Sequence, residues 1–353
     1  MKSHTLFSAA VVIGSAALLG VTSCAAPLNA GSSSSSGEGA SQVVERESAE
    51  KCTNASPSKK AANEMTIGFA QSENEQNPFR AVETASVKAA IEKSGAKYVY
   101  TNAGGDQAKQ LTDVQSMINQ GVDALIVAPI GATGLQSAFA DARAKGIPVV
   151  TIDRKTSGTA CTDYLTFMGS DFYEQGVRAA KAVVEATGGS GSIAEVQGAP
   201  GSDVAVERTK GFQDEIAKNP GLKIVAQQTG NWETSKAQEV VGQMISANPD
   251  VNAIYTHADV MAEGAITALR NFGKNPGQDV KIVSIDGLKS AVSGVANGTV
   301  AAVVETNPRF GPAAVKAILD WTAGTDVSQE VIMKDALYTK DNAQAAVDSG
   351  AAY

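Results

Sequence analysis

The chain has 353 residues, of which 43% are hydrophobic and 19% charged, which is the composition of a globular protein with one or two domains. It holds 29 lysines and arginines against 37 aspartates and glutamates, a net charge of −8 at pH 7. Because a nucleic-acid-binding protein needs a basic surface to neutralise phosphates, this balance argues against a nucleic acid partner and suits a small neutral ligand.

The first 23 residues have the pattern of an export signal. Lys2 is followed by an apolar run over 9–21, which is too short to span a bilayer and ends in small residues before Cys24. A cysteine directly after a small residue resembles a bacterial lipobox, so we expect 1–23 to be a lipoprotein signal peptide and Cys24 to carry lipid. An ordinary cleaved secretory signal is the alternative. Either way the folded part works outside the cytoplasm, and the lipid would anchor it to the outer face of the bacterial cell membrane.

Residues 24–63 are predicted to be a flexible tether, since the serine- and glycine-rich run over 31–37 offers little apolar surface to bury. Beyond Cys24 two cysteines remain, Cys52 and Cys161. An even number in an oxidising compartment favours a disulfide between them, which would attach the tether to the domain; two free thiols are the alternative. With no CxxC motif or histidine cluster, the sequence predicts neither a metal site nor a cofactor.

From Met65 onward, short apolar runs alternate with segments of helical periodicity. The predicted strands are 65–70, 98–100, 124–128, 148–152, 165–168, 192–196, 223–226, 253–256, 280–285 and 300–304. The predicted helices are 79–94, 106–119, 133–145, 172–187, 204–218, 235–248, 260–272 and 312–321. Strands separated by helices form parallel sheets through right-handed crossovers, so the fold class is α/β. A faint repeat of 121–128 in 250–257 suggests two similar lobes, although any parallel strand gives such a pattern.

Polar and charged residues follow several of these strands. They are Gln71-Ser72-Glu73, Asp153-Arg154, His257-Ala258-Asp259, Asp286-Gly287 and Glu305-Thr306-Asn307. Parallel α/β sheets bind ligands at the carboxyl ends of their strands, so we expect these residues to form a ligand site. The alternative for a single pair, such as Asp153 with Arg154, is a structural salt bridge.

Several motifs occur in the order found in type I periplasmic binding proteins for sugars. They are Ile67-Gly68-Phe69, Gly121-Val122-Asp123-Ala124, Ile147-Pro148-Val149 before Asp153-Arg154, Glu207-Arg208 with Lys210-Gly211-Phe212, Ser235-Lys236, Ser284-Ile285-Asp286-Gly287 and Gly311-Pro312. Over 64–353 the chain resembles the ribose- and galactofuranose-binding group of these receptors, which serve ABC importers.

The resemblance implies two Rossmann-like parallel-sheet lobes joined by a three-crossing hinge. The N-terminal lobe would comprise 64–169 plus 287–305, and the C-terminal lobe 170–286 plus 306–353. The crossings would lie near 168–171, 286–287 and 305–308.

The resemblance also implies a set of ligand-binding residues. They are Phe79, Arg80, Asp153, Arg154, Arg208, Trp232, Asp259, Asp286 and Glu305. Aspartate accepts and arginine donates several hydrogen bonds to sugar hydroxyls, and the rings of Phe79 and Trp232 would stack on the apolar sugar faces. Where the family often has Asn-Asp this chain has Ala258-Asp259, so one hydrogen-bonding side chain is missing and the exact sugar stays open.

From this resemblance we expect a monomeric lipoprotein that captures a monosaccharide by hinge closure and delivers it to an ABC permease in the membrane. A receptor that presents a sugar, polyol or autoinducer to a signalling system is the alternative. We expect no catalysis, because the sequence has no GxSxG elbow and His257 is its only histidine after the signal.

Overall fold

The computed structural model describes residues 44–353, so the predicted signal peptide, Cys24 and the tether up to residue 43 lie outside the described residues. The strands are β1 Val44–Glu47, β2 Lys51–Cys52, β3 Thr66–Gln71, β4 Lys97–Asn102, β5 Ala124–Val127, β6 Val149–Ile152, β7 Thr166–Gly169, β8 Gly191–Gln197, β9 Leu222–Thr229, β10 Val251–Thr256, β11 Lys281–Asp286, β12 Ala302–Glu305, β13 Val327–Ser328, β14 Glu330–Met333 and β15 Leu337–Tyr338. The helices are α1 Pro78–Ser94, α2 Gln107–Asn119, α3 Gln136–Ala144, α4 Phe172–Thr187, α5 Asp203–Ile216, α6 Thr234–Ala247, α7 Asp259–Asn271, α8 Lys289–Asn297, α9 Gly311–Ala323 and α10 Ala343–Ser349. In this part of the chain no helix has the length and hydropathy needed to span a membrane.

Two sheets form the centres of two lobes, as predicted. The first has the strand order β1-β14-β7-β6-β5-β3-β4 and the second β15-β12-β11-β10-β8-β9. Neighbouring strands run parallel except that β1 is antiparallel to β14 and β15 is antiparallel to β12. The fold class is therefore confirmed as α/β with two parallel-sheet lobes.

The central strands of each sheet are apolar because helices cover both faces of the sheet, whereas β1, β4 and β9 at the sheet edges carry polar residues. All four residues of β5, Ala124–Val127, are completely buried. Alternate side chains of this strand contribute to separate hydrophobic clusters on the two faces of the first sheet, and the second sheet has the same arrangement.

Local capping fixes the helices that carry the polar residues. The Asn77 side chain accepts a hydrogen bond from the amide of Phe79 and Pro78 occupies the first turn, so α1 begins just before Arg80. The Ser202 side chain likewise accepts from the Ala205 amide at the start of α5. Both helices therefore begin at the carboxyl ends of their sheets.

The predicted lobe boundaries are wrong after residue 286. The segment 287–305 belongs to the second lobe, because β12 pairs in parallel with β11 and α8 packs on β12 and α10. The segment 306–353 is divided, because α9 packs on α1 and β14 pairs with β7 in the first sheet. Strands β11 and β12 are joined by a β-α-β crossover through α8, and such a crossover places both strands in the same sheet. Strand β12 therefore belongs to the second lobe and not, as predicted, to the first.

The hinge has three crossings, but one lies elsewhere than predicted. The chain passes between sheets at 170–171, at 306–310 and at 334–336, between β14 and β15. The crossing predicted at 286–287 is wrong because the chain remains in the second lobe there. The crossing at 334–336 was missed because the pairing of β14 and β15 with distant strands leaves no signal in the local sequence.

The predicted tether is wrong from Val44 onward. Strand β1 pairs with β14 at the edge of the first sheet, and β2 pairs with β13. The Asn54 Nδ2 group donates to the carbonyl of Trp321 at 2.8 Å. Backbone pairing with an edge strand needs no apolar alternation, so periodicity gave no sign of it. A disulfide joins Cys52 to Cys161 with their Cα atoms 5.2 Å apart, and it ties this N-terminal segment to the first lobe.

Candidate functional site

A cavity lies between the lobes at the carboxyl ends of their strands, with a volume of about 430 Å³ including its open mouth. Its lining residues are Glu73, Asn77, Phe79, Arg80, Asp153, Arg154, Val204, Arg208, Trp232, Ala258, Val260, Asp286 and Thr306. Seven of the nine residues predicted from the sequence are therefore brought together here.

The first lobe contributes a network of arginines and carboxylates. Arg80 Nη1 lies 2.7 Å from Asp153 Oδ2 and 2.9 Å from Glu83 Oε2, and its Nε lies 3.3 Å from Glu73 Oε2. Arg154 Nη1 lies 2.9 Å from the other oxygen of Glu73. Burial opposes ionisation of Glu73, but Arg154 and Arg80 lower its pKa to about 2. Each buried arginine is thus paired, as a buried charge requires.

Asp153 is ion-paired, but its acceptor is not fully used. Its Oδ2 atom is buried 2.7 Å from Arg80 Nη1, at an angle that is not that of a hydrogen bond. The backbone of Asp153 is left-handed, with φ at 66°, a conformation that few non-glycine residues adopt. The carboxylate can therefore accept a hydrogen bond from a ligand.

Glu83 lies behind this network and was not predicted. It is completely buried, and its Oε2 accepts from Gln71 Nε2 at 2.9 Å as well as pairing with Arg80. Burial raises the pKa of Glu83 to about 7, against the opposing effect of Arg80, and the charge of Asp153 raises it further. Its position in the first turns of α1 gave no strand-end signal.

The second lobe contributes Arg208, each of whose nitrogens is held by the protein. Its Nε donates to Gln175 Oε1 at 2.9 Å, Nη1 to the His257 carbonyl at 2.6 Å and Nη2 to Thr306 Oγ1 at 2.7 Å. A guanidinium has five N–H groups, so about two remain for a ligand.

Asp286 follows β11 and faces the same cavity. Burial raises the pKa of its carboxyl to about 6, and the charge of Arg208 opposes that rise. Its φ of 138° is another left-handed value, followed by Gly287 at 109°. The strand end therefore turns sharply and leaves the Asp286 side chain on the cavity wall.

Two aromatic rings complete the lining. The Arg80 guanidinium lies 5.0 Å from the centre of the Phe79 ring, and that of Arg208 lies 6.0 Å from the Trp232 ring. A Cβ atom at Gly198 would collide with the Trp232 indole, so only glycine lets the ring lie there. The rings offer apolar surface beside the charged groups.

Asp259 and Glu305 do not reach the cavity, and their predicted positions in the site are wrong. The Asp259 carboxylate is completely buried and accepts from the Ser284 hydroxyl and from the amides of Gly287 and Leu288 at 2.7 and 2.8 Å. It therefore fixes the turn that carries Asp286, and burial raises its pKa, together with the neighbouring charge of Asp286.

Glu305 instead joins two strands of the second sheet. Its carboxylate accepts from the amide of Ala336 at 2.8 Å and from the Tyr338 hydroxyl at 3.1 Å, and burial raises its pKa. The side chain points into the β12–β15 edge, away from the cavity.

Six lining residues were not among the nine ligand-binding residues that the resemblance implies: Glu73, Asn77, Val204, Ala258, Val260 and Thr306. Of these, Glu73, Ala258 and Thr306 were already expected at the site from their positions after strands. Asn77 looks from sequence like a helix cap, and it has that role too. Among residues 44–353, no group of three or more histidine, cysteine, aspartate or glutamate side chains is placed to hold a metal ion.

Residues 67–326 match the family described as periplasmic binding protein domain. The chain is 32% identical over 285 residues to the galactofuranose-binding protein YtfQ of Escherichia coli (strain K12), which covers 79% of this chain and 89% of that protein.

Solved structures agree in fold and in part of the sequence. The binding protein of the arabinose ABC transporter from Shewanella sp. ANA-3, bound to α- and β-L-arabinofuranose, is 34% identical with a TM-score of 0.77, covering 80% of this chain and 95% of that one. A protein from Mycobacterium smegmatis in complex with β-D-fucofuranose is 34% identical with a TM-score of 0.77, covering 81% and 95%. The fructose-binding periplasmic domain of the hybrid two-component system BT1754 is 27% identical with a TM-score of 0.75, covering 81% and 94%. The chain therefore belongs to the type I periplasmic sugar-binding proteins of ABC importers.

Proposed function

We propose that this protein is an extracytoplasmic lipoprotein that captures one monosaccharide in its five-membered ring form and delivers it to an ABC importer. The observation that carries the proposal is the convergence of charged and aromatic side chains from both lobes on one cavity. The binding residues would be Phe79, Arg80, Asp153, Arg154, Arg208, Trp232 and Asp286, joined by Glu73, Asn77 and Thr306.

The charges of the site favour an uncharged ligand. Three arginines, Arg80, Arg154 and Arg208, face four carboxyl groups, Glu73, Glu83, Asp153 and Asp286. Two of those carboxyl groups have raised pKa values, so the site is close to neutral near pH 7. A charged ligand would upset this balance in a buried place, whereas sugar hydroxyls both donate and accept hydrogen bonds without doing so.

The furanose form is supported by the relatives. One similar protein is a galactofuranose-binding protein, and two similar solved structures hold L-arabinofuranose and β-D-fucofuranose. The cavity lining combines charged side chains from both lobes with the Phe79 and Trp232 rings, a combination that can bind both the hydroxyls and the apolar faces of a monosaccharide.

Hinge closure follows from the division of the site between the lobes. Asp153 and Arg80 belong to the first lobe, Arg208 and Trp232 to the second, and Thr306 to a crossing. A sugar that contacts both lobes stabilises the closed arrangement by the free energy of those shared contacts. The closed protein would then be the form that a permease recognises.

The ring form can be tested directly on the protein. L-arabinose, D-galactose, D-ribose and D-fructose, each labelled with ¹³C at the anomeric carbon, would be titrated and the bound signal assigned to a ring form by NMR. We expect at least one sugar to bind with a furanose signal while the free sugar is mainly pyranose. If the bound sugar gave a pyranose signal, the ring assignment would be overturned. If isothermal titration calorimetry detected no binding of any of these sugars, the sugar-binding proposal would be overturned.

The lipid anchor rests on the sequence, since Cys24 lies outside the described residues. Cells expressing the full chain would be labelled with palmitate. We expect label in the protein and none after Cys24→Ala, whereas Cys52→Ser should leave it unchanged. Label that persists in the Cys24→Ala variant would rule out this lipidation site.

A signalling receptor is the second candidate function, favoured by the similar periplasmic domain of a two-component system. Deleting the gene in the source bacterium separates the two. Loss of labelled-sugar uptake supports import, whereas intact uptake with a lost transcriptional response to the sugar supports signalling.

A further inference from the structure

The three hinge crossings meet at one carboxylate, that of Asp335. Its Oδ1 atom accepts from Ser170 Oγ in the first crossing at 3.1 Å and from the Asn307 amide in the second at 2.9 Å. Asp335 itself lies in the third crossing, whose Lys334 carbonyl accepts from Asn307 Nδ2 at 3.2 Å. Asp335 is therefore the only point among the described residues where one side chain contacts both other crossings.

Gln175 connects this carboxylate to the ligand cavity. Its Nε2 donates to Asp335 Oδ2 at 2.7 Å and its Oε1 accepts from Arg208 Nε at 2.9 Å. Gln175 and Arg208 are 1% and 2% exposed, whereas Asp335 is half-buried. The amide group thus bridges the hinge and the arginine that faces the ligand.

The direction of the Gln175 amide is fixed by its partners. Nε2 faces three acceptors: Asp335 Oδ2, the Glu305 carbonyl at 3.1 Å and Thr306 Oγ1 at 3.2 Å. An ionised carboxylate only accepts hydrogen bonds, so it requires the NH₂ end of the glutamine and leaves Oε1 for Arg208. If the amide turned over, oxygen would face carboxylate and NH₂ would face guanidinium, and both contacts would be lost.

We propose that Asp335 and Gln175 are positioning residues for sugar capture: Asp335 gathers the three crossings and, through Gln175, sets the direction in which Arg208 presents its guanidinium to the cavity. The proposal rests on the proposed sugar-binding function, because Arg208 is assigned to the ligand there. Neither residue touches the cavity, so their effect passes through Arg208 and Thr306.

Asp335 is surrounded by groups that influence its ionisation. Arg178 Nη1 donates to its backbone carbonyl at 3.2 Å, and the charge of Glu305 lies on its inner side. A second cavity on its outer side is lined by Glu45, Arg46, Asp171, Glu174, Gln175, Arg178, Lys334 and Asp335. Burial raises the pKa of Asp335 to about 7, against the hydrogen bonds from Asn307, Gln175 and Ser170. When Asp335 is protonated below that pH, its hydrogen bond from Gln175 Nε2 becomes weaker. The Arg208 Nε–H resonance of the wild-type protein should therefore depend on pH.

The test uses Asp335→Asn, which keeps the shape but turns one acceptor into a donor. We expect the buried Arg208 Nε–H resonance to shift and to exchange with solvent faster, without any sugar present. For L-arabinose or D-galactose we expect the dissociation constant to rise on the order of tenfold or more, the effect of losing one charge-assisted contact. Asp214→Asn, an exposed carboxylate on α5, is the matched control and should change neither.

A second variant separates positioning from mere packing. Gln175→Glu combined with Asp335→Asn exchanges the carboxylate and the amide, so one carboxylate oxygen at 175 accepts from Arg208 Nε and the other from the NH₂ group at 335. We expect this pair to recover part of the affinity and of the Arg208 Nε–H protection lost in Asp335→Asn; the donation from residue 175 to the Glu305 carbonyl is not restored. No recovery in the double variant would contradict the relay.

Each outcome decides a separate point. An unchanged Arg208 resonance and affinity in Asp335→Asn would overturn the relay. If the variant fails to fold, a pH titration compares the wild type with Gln175→Met, in which Asp286 still titrates but the link to Asp335 is cut. A relay requires the Arg208 Nε–H signal to move more between pH 8 and pH 6 in the wild type than in Gln175→Met, and equal movement overturns it. If no sugar binds to the wild type, the proposed function fails while the ligand-free Arg208 signal still tests the relay.

Discussion

At the scale of single residues, Asp153 has the clearest functional signature. It is buried, its backbone is left-handed, and one of its oxygens has no properly aligned hydrogen-bond donor among the described residues. Its ion pair with Arg80 lacks hydrogen-bond alignment, so a ligand hydroxyl can donate to this carboxylate and add a charge-assisted hydrogen bond.

Replacing Asp153 by asparagine should therefore weaken sugar binding far more than it weakens the fold. Arg80 keeps its partners Glu83 and Glu73 in the variant, so no arginine is left alone. We expect a rise of roughly 10- to 100-fold in the dissociation constant by calorimetry, as for loss of a hydrogen bond to a charged group. The exposed Asp141→Asn on α3 is the control, and equal affinities in the two variants would remove Asp153 from the site.

Glu83 should make the stability of the protein depend on pH. Its pKa rises from 4.5 to about 7 on folding because it is buried, so between these values the folded state binds more protons than the unfolded state. Stability is therefore lost as the pH rises through that window, by about 3 kcal/mol at most for a change of 7 − 4.5 = 2.5 pKa units.

Glu83→Gln removes this titration. Urea unfolding at pH 5 and pH 8 should show a smaller loss of stability in the variant than in the wild type, while other titrating groups act equally in both. Glu92→Gln, an exposed position on the same helix, should follow the wild type. An equal loss of unfolding free energy between pH 5 and pH 8 in the wild type and in Glu83→Gln would contradict the raised pKa of Glu83.

The residues of the site were predictable where a strand end determined both position and direction. Asp153 and Arg154 follow β6 and Asp286 is the last residue of β11, and all three line the cavity. Asp259 and Glu305 satisfy the same sequence rule, yet their carboxylates turn inward because backbone amides at Gly287, Leu288 and Ala336 need acceptors. Hydrogen-bond demand from distant segments is invisible in a local sequence pattern.

At the scale of elements, the contact between α4 and α5 is the platform on which Arg208 rests. A Cβ atom at Gly176 of α4 would collide with the Arg208 carbonyl, and one at Gly211 of α5 with the Tyr173 carbonyl. The two helix backbones therefore touch at a pair of reciprocal glycines. This close approach puts Gln175 within reach of Arg208.

Gly211→Ala should destabilise the protein although glycine is a poor helix former. Alanine normally gains up to about 1 kcal/mol over glycine inside a helix, but here the added methyl would force the helices apart at a cost of about 1–3 kcal/mol. Gly242→Ala on α6 is the control, because its Cβ would meet only Phe272 Cε2 at 3.5 Å. The denaturant midpoint should be lower in Gly211→Ala than in the wild type, and unchanged or higher in Gly242→Ala. Equal midpoints for the two variants would contradict the close contact between α4 and α5.

Elements were predictable where burial on two faces made them long and apolar. Strands β3, β5, β6, β10 and β11 and the helices between them follow the predicted alternation. Strands β1, β2, β13, β14 and β15 have two to four residues each, and their pairing is set by segments far away in the sequence. No window of local sequence contains that information.

At the scale of the whole molecule, the hinge was only partly predictable. The lobes and the crossing at 170–171 follow from the alternation of strands and helices, but the return of the chain to the first sheet through α9 and β14 does not. Which lobe a late segment joins depends on which edge of each sheet is still open once the earlier strands have paired. The 334–336 crossing, which carries Asp335, was missed for that reason.

The disulfide should stabilise the first lobe without affecting the site. Cys52 and Cys161 are 109 residues apart in sequence, and the bond lies near the amino end of β6, opposite the cavity. Replacing both by serine should reduce the free energy of unfolding by roughly 2–5 kcal/mol, because a long loop is released in the unfolded chain. Sugar affinity should be unchanged; a loss of affinity equal to that of Asp153→Asn would show that the bond supports the site.

Closure itself should depend on contacts from both lobes at once. Arg208→Gln leaves the first-lobe network intact, so sugar should still bind weakly there but should no longer hold the second lobe against it. We expect small-angle scattering to show a decrease in radius of gyration when sugar saturates the wild type and little or none when it saturates Arg208→Gln. Arg270→Gln, an exposed arginine on α7, should close like the wild type. A ligand shifts a conformational equilibrium only by its difference in affinity for the two states. If Arg208→Gln became as compact as the wild type when saturated with sugar, the contacts between the second lobe and the sugar would not be what drives closure.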